Sequence, residues 1–286
     1  MQARYVHARE SGSMIRALLA SGLLAMCALP ACADAGRASV WPDGQRAAVS
    51  LAYDDALDSQ LDSAIPALDR HGLKGSFYLT LSGDTVRTRM DAWRAAARNG
   101  HELGNHSLFH QCAASKPARE WVEPQHDLDA IGVVQMQEQV RVASTMLQAI
   151  DGETVRTYTV PCGDRRARDG DYVDGLSGDF VAIKVMGGAV VPDMRTLDPH
   201  AVPVVAPAGI DGDALIALVE DAARRGTMVN LTFHGIGAEH LSVTTEAHDA
   251  LLAHLAAHPE RYWTATFREI MTWVRSRQDG DTPDAD

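Results

Sequence analysis

Two carboxylates and two histidines offer the most specific chemistry in this chain. Asp54 and Asp55 are adjacent near the end of the stretch AAVSLAYDDAL, and His106 and His110 lie further on in HELGNHSLFHQC. Neighbouring residues at a strand end point to opposite sides, which gives each Asp a separate task. Two like charges this close resist joint ionisation unless a cation or a donor separates them. The i,i+4 spacing of His106 and His110 puts both imidazoles on one face if the chain makes a helical turn there. One Asp and two His match the ligands of a catalytic Zn²⁺, which keeps an open position for water. Such an ion lowers that water's pKa towards ~7 and polarises a carbonyl oxygen. Each piece alone is weak. Asp-Asp is common at loop starts and helix caps, and in a chain with twelve histidines some fall four apart by chance.

The elements that must carry these residues can be read from periodicity. Ala48, Val49, Leu51 and Tyr53 form an uncharged apolar run, a buried strand that ends in the Asp pair. Leu57, Leu61, Ile65 and Leu68 recur at helical spacing up to Gly72, and 75–80 is the next strand. A short helix over 89–98 stops at Asn99-Gly100. The strand 101–105 then delivers His106 at its C-terminal end. The spacing predicts the longest helix over 127–150, strands over 155–161 and 180–186, and a short strand over 202–205. Helices over 211–225 and 244–257 flank an apolar strand, 227–234; a last strand, 262–267, leads into a helix to Arg277. Alternating strands and helices imply an α/β fold with a parallel sheet. Chemistry gathered at strand C-terminal ends suits a barrel, although periodicity alone does not separate a barrel from an open sheet. With no repeats and no long linker, residues 36–277 read as one domain.

Composition narrows the setting. A hydrophobic fraction of 46% with 22% charged residues suits a globular core. Acidic residues outnumber basic ones, 38 to 26, which argues against nucleic acid as a partner and leaves neutral sugars open. Met14-Ile15-Arg16 precedes the apolar run ALLASGLLAMCAL and two A-x-A exits, Ala31-Cys32-Ala33 and Ala33-Asp34-Ala35. This is a signal-peptide pattern over 1–35, with Met14 a plausible true start, and it implies export to a periplasm or the exterior. The run is short for a stable membrane span. A lipoprotein site at Cys32 fits poorly because of Pro30. Cys27 and Cys32 leave with the signal, so Cys112 and Cys162 form an even pair in an exported chain. They are a disulfide candidate, with two buried thiols the other reading. The tail 278–286 is polar and reads as disordered.

Strand–Asp–Asp, then Asn-His-Ser-x-x-His at 105–110, then Leu231-x-x-His234 resemble the polysaccharide deacetylase family, carbohydrate esterase family 4. The resemblance runs from about Trp41 to Val274. It implies a distorted (β/α) barrel of about seven parallel strands. It also implies a divalent metal, Zn with Co or Ni as substitutes, held by Asp55, His106 and His110. By the same resemblance Asp54 is the general base and His234 protonates the leaving group. The implied reaction removes acetyl groups from an acetylated oligo- or polysaccharide, as N-acetyl amide or O-acetyl ester. Two other readings stand beside it: a non-catalytic glycan-binding relative, and an amidohydrolase of a small metabolite.

The chain also departs from the family pattern. Ala52 and Ala56 replace the usual Thr and Gly of the first motif, where neither supplies a ligand. The third motif usually reads Arg-x-Pro-Tyr, whereas this chain has Thr159-Val160-Pro161-Cys162-Gly163. The missing arginine normally orients the base carboxylate. Lys184, inside the apolar strand FVAIKVM, is its candidate replacement; the alternative is a lysine snorkelling to solvent. Cys162 still offers a backbone N–H to an oxyanion, and the resemblance places it with Cys112 beside the same metal. No residue matches the family's fourth motif. Trp121 is a candidate for sugar stacking and His240 for lining the cleft. His101 reads as packed or surface, and His254 and His258 as exposed positions of a helix.

Overall fold

A computed structural model describes residues 41–280, so the segment 1–35, read above as a signal peptide, and the end of the polar tail lie outside the described residues. The chain is organised around strand β1 (Ala47–Asp54), in which every residue is buried. Its run of small and apolar residues can be packed from both faces, as a central parallel strand requires. β2 (Ser76–Leu79), β3 (Glu102–Asn105) and β4 (Thr157–Thr159) follow in parallel, and a small antiparallel hairpin of β5 (Arg166–Ala167) and β6 (Gly170–Asp171) interrupts them. β7 (Ala182–Met186), β8 (Val202–Val204) and β9 (Met228–Phe233) complete a sheet in the order β1-β2-β3-β4-β7-β8 with β9 on the far side of β1. Past the end of β8, Val205 bridges to Leu231, and Thr232 N donates to Val205 O at 2.9 Å. The result is a nearly closed barrel of seven parallel strands, a single α/β domain. β10 (Tyr262–Ala265) pairs only with the first half of β1, Ala47 to Ser50, while β2 takes the second half from Ala52.

The helices cover the barrel for the reasons their sequences suggest. A π-helical turn, Gln60–Ala64, runs into α1 (Ile65–Arg70), and the short α2 (Asp84–Thr88) and α3 (Met90–Arg98) follow β2. α4 (Val133–Asp151) buries Met136, Val140, Ala143, Leu147 and Ile150, the i,i+3/i+4 stripe, and ends at Gly152 with φ 81°. α5 (Gly212–Arg225) and α6 (Thr245–Ala257) are capped by Asp211 and Thr244, whose side chains accept from the backbone N–H three residues on. α7 (Phe267–Gly280) extends past Arg277, so the helix takes in the first residues of the stretch read as tail. The strand expected over 155–161 is shorter than its apolar pattern, because 161–163 turn away. No described helix is long and apolar enough to cross a membrane.

One close approach fixes a glycine in this frame. A Cβ at Gly104 in β3 would lie 2.4 Å from the Tyr78 ring, so β2 and β3 pack around that ring only if the position has no side chain.

Candidate active site

The C-terminal ends of the barrel strands open into one cavity of about 900 Å³, the face on which barrel sites form. β1 ends with Asp54, and Asp55 follows at φ 81°, a left-handed backbone rare for a non-glycine residue. That reversal corrects the expectation that the two Asp side chains point apart. Both line the cavity, because Asp55 has left the pleat and no longer alternates. His106 follows β3, and His110 is carried by the loop after it.

His106 and His110 do not share a helical turn, contrary to the reading of their spacing. Residues 106–111 are irregular, and Ser107 and His110 have φ of 67° and 52°. The imidazoles converge nonetheless, with ring centroids 4.9 Å apart. Side-chain-to-backbone bonds fold the loop: Asn105 Oδ1 accepts from Ser107 N at 2.7 Å, and Ser107 Oγ from His110 N at 3.0 Å. Asn105 itself is held by Nδ2 donating to Val140 O and Ser144 Oγ, both at 2.8 Å. Short polar side chains competing for the backbone in this way displace the helix that bare spacing suggests.

Asp55 Oδ1 lies 3.3 Å from His106 Nε2 and 3.2 Å from His110 Nε2. A tetrahedral ion with bonds of about 2.0–2.2 Å holds its ligand atoms roughly 3.3–3.6 Å apart, so both Asp55–histidine spacings suit one, and all three ligand atoms lie within 4.8 Å of one another. His106 Nδ1 lies 2.8 Å from Thr159 O, which can only accept, so Nδ1 carries a proton and Nε2 is the ring nitrogen that faces the site. Burial works against a charged His106, but Asp54 and Asp55 outweigh it and raise the imidazole to about 9. Burial likewise opposes charge on Asp55, and its histidine contacts hold the carboxyl well below the usual range. This cluster draws positive charge inward.

Asp54 stands behind that set, with Oδ2 3.8 Å from His106 Nε2 and Oδ1 without a hydrogen-bond partner among the described residues. Burial pushes its carboxyl up to about 6, against the lowering effect of His106. His234 follows β9, with Nε2 3.8 Å from Asp55 Oδ2. Burial pushes it down to about 4, and its buried Nδ1 has no partner among the described residues. Gln60 Nε2 donates to the backbone oxygens of both Asp54 and His234, tying the ends of β1 and β9 together. Nothing in the sequence marks Gln60, because the residues it joins are far apart in the chain.

Lys184 neither snorkels nor orients Asp54 by a bond. Its side chain is wholly buried, with Nζ 4.6 Å from the Tyr78 ring and 4.4 Å from the Phe267 ring and no hydrogen bond to a described residue. The aromatic faces hold the ammonium by cation–π attraction. Burial pushes it down to about 8, while the carboxylates of Asp54 and Glu102 pull the other way. Lys184 therefore acts on Asp54 through its field.

Cys162 lines the cavity in the turn Pro161–Gly163, with φ 56°, and is joined to Cys112 by a disulfide with Cα atoms 5.9 Å apart. The neighbouring Asp164 is buried and accepts from Ala113 N at 2.9 Å while pairing with Lys116 and Arg119. Trp121 is more than half exposed at the rim, 6.4 Å from the His110 ring. His240 also lines the cavity, with Nε2 2.8 Å from Asp55 Oδ2. The other histidines lie elsewhere. His101 is buried against Gly75 N and Asp69, and His254 is half-buried rather than exposed, with Nε2 3.1 Å from Tyr262 Oη. All eight non-glycine residues with positive φ among the described residues, including Asp55, His110, Cys162, Glu239 and Leu241, line the cavity or adjoin a residue that does. Strained backbone concentrated in this way marks a functional site.

Residues 42–173 match the family model described as polysaccharide deacetylase. The match takes in Asp54, Asp55, His106, His110 and Cys162. Among solved structures, the fold is similar to the Xyl-CE4 domain of a multidomain xylanase from the hindgut metagenome of Trinervitermes trinervoides, at TM-score 0.52 and 15% identity over 85% of this chain and 95% of that one. It is similar to a CE4 family pseudoenzyme from Bacillus anthracis, at TM-score 0.51 and 17% identity over 80% and 66%. It is also similar to a family 4 acetyl xylan esterase from Clostridium thermocellum in complex with a cobalt ion, at TM-score 0.50 and 19% identity over 78% and 90%. A gellan lyase from Bacillus sp. shares 24% identity over 128 residues, but the match spans only 4% of that protein.

Proposed function

We propose that this protein is a metal-dependent hydrolase that removes acetyl groups from an acetylated glycan outside the cytoplasm. The observation that carries the reading is the convergence of Asp55, His106 and His110 at tetrahedral spacing, with Asp54 behind them and His234 opposite. Asp55, His106 and His110 would hold a divalent cation, Zn²⁺ or an ion of similar preference such as Co²⁺ or Ni²⁺. Such an ion supplies Lewis acidity towards an acetyl carbonyl and lowers the pKa of a water.

The protein's own groups supply the proton movements. Asp54, with a carboxyl near pH 6, is ionised at neutral pH and close enough to its titration to take a proton from water and release it again. His234 is neutral in the free protein, so it would take up the proton that Asp54 removes from water and pass it to the departing amine or alkoxide. The Cys162 N–H, on a turn fixed by the disulfide, donates to the oxygen on which negative charge develops. Trp121 offers a stacking face for a sugar ring at the rim. The signal-peptide pattern over 1–35 supports export to a compartment in which a polymeric substrate would be met.

Two observations favour the alternative of a non-catalytic glycan binder: Asp54 lacks a bonded orienting cation, and His234 Nδ1 lacks an orienting acceptor. Acetate release from a panel of N- and O-acetylated glycans, with and without chelator, decides between them. Chelator-sensitive release supports the hydrolase, and glycan binding with no release supports the binder.

A further inference from the structure

Asp55 presents its two carboxylate oxygens to two different histidine pairs. Oδ1 faces His106 and His110, at 3.3 and 3.2 Å, and Oδ2 faces His240 and His234, at 2.8 and 3.8 Å. Each set of three has its ligand atoms within 4.8 Å of one another, and the two share Asp55 alone. The deacetylase reading uses the first set and gives His240 no task.

We infer that Asp55 Oδ2, His234 and His240 form a second divalent-cation site, weaker than the first, whose occupation inhibits the enzyme by withdrawing His234 from proton transfer. The inhibitory part rests on the function proposed above; the binding part does not. The ligand spacings of 2.8 and 3.8 Å bracket the roughly 3.3–3.6 Å edge of a tetrahedral ion. A carboxylate that offers one oxygen to each side suits two cations held about 3.5–4 Å apart. Two imidazoles and one carboxylate select Zn²⁺, Co²⁺ or Ni²⁺ over Mg²⁺ or Ca²⁺.

His240 is held in place by a built loop. Gly235 N donates to His240 O at 3.2 Å, Gly237 N to Val243 O at 2.8 Å, and Val243 N to Gly235 O at 3.2 Å. The Glu239 carboxylate accepts from Ser59 N and Oγ, and Ser59 Oγ accepts in turn from Ile236 N. Glu239 and Leu241, on either side of His240, both have positive φ, at 62° and 47°. A Cβ at Gly235 would sit 1.8 Å from Ala238 O, so the loop closes only on glycine there. The His240 side chain is 55% exposed, and a hydrogen bond that open to water contributes little stability. The second site is the weaker because the shared carboxylate already neutralises part of the first ion's charge and because His240 faces solvent.

The test is equilibrium dialysis of the full chain against Zn²⁺, read by elemental analysis, on wild type, His240→Ala and His240→Glu. Two equivalents in wild type, one in His240→Ala and two again in His240→Glu, which restores a ligating side chain, support the inference. One equivalent in wild type overturns it. Loss of both equivalents in His240→Ala protein that still folds also overturns it, because His240 would then belong to the first site. No zinc in wild type overturns the second site and the metal-dependent reading together, which one equivalent does not. In acetate-release assays, half-inhibition by excess Zn²⁺ moves at least tenfold higher in His240→Ala; an unchanged inhibition curve refutes the inhibitory role.

Discussion

The Cys112–Cys162 disulfide gives a perturbation whose size follows from the chain. The bridge spans a sequence separation of 50 residues. In the chain-entropy description of the unfolded state a loop of that length contributes ~4 kcal/mol, with measured gains often smaller. For a protein of this size that corresponds to a fall in Tm of roughly 8–16 °C. The variant to use is Cys112→Ala/Cys162→Ala. Residue 162 has φ 56°, and Ala there meets the same left-handed backbone as Cys, so the difference reads the bridge and not new strain. The turn 161–163 is held by more than the bridge, since Asp164 accepts from Ala113 N and pairs with Lys116 and Arg119. Stability should therefore fall further than acetate release at 25 °C. The assay is urea unfolding of wild type, wild type with reductant, and the double variant, with peptide mapping of the unreduced protein. The reasoning fails if the double variant unfolds within about 1 kcal/mol of wild type, or if Cys112 and Cys162 map as free thiols.

Three further outcomes are expected. Lys184 is charged when unfolded up to about pH 10.5 but is pushed down to about 8 when folded, so its burial costs up to about 3 kcal/mol at pH 7. Lys184→Met should then be more stable than wild type at neutral pH, with the gain fading between pH 8 and 10.5. Because Lys184 lowers the Asp54 carboxyl, the acid limb of acetate release should move to higher pH; a less stable variant with an unmoved limb refutes the account. His248, buried with Nε2 2.7 Å from Tyr53 Oη, is pushed down to about 4 by burial. Its unfolded form takes up a proton first, so its contribution is complete above about pH 6.5 and declines by roughly 3 kcal/mol as pH falls towards 4. The stability difference between wild type and His248→Gln should shrink by that amount over the same window, and a constant difference tells against it. Asp54→Asn and His234→Ala should each lower turnover by ~10²–10⁴-fold while the first equivalent of zinc is retained, as elemental analysis would show. Turnover kept in either variant moves the role to another residue.

Much of the architecture was legible in order and type. The apolar run before Asp54 could only be a strand buried on both faces, and the alternation that follows could only build a parallel sheet. The nearness of Asp55 and His106 to strand ends and the position of His234 after an apolar strand were readable because local sequence sets what ends a strand. The tertiary structure decided everything that depends on backbone reversal or on distant partners. The left-handed backbone at Asp55 turned two alternating side chains into one cavity, and the Asn105–Ser107–His110 bonds replaced a helical turn with a loop that still brings the imidazoles together. The fate of Lys184 depended on Tyr78 and Phe267, whose rings lie far off in the chain, so no local pattern could tell a snorkelling lysine from a caged one. His240 shows the same limit. Its place over Asp55 comes from Ser59 gripping Glu239 across 180 residues, a contact that only closure of the barrel creates.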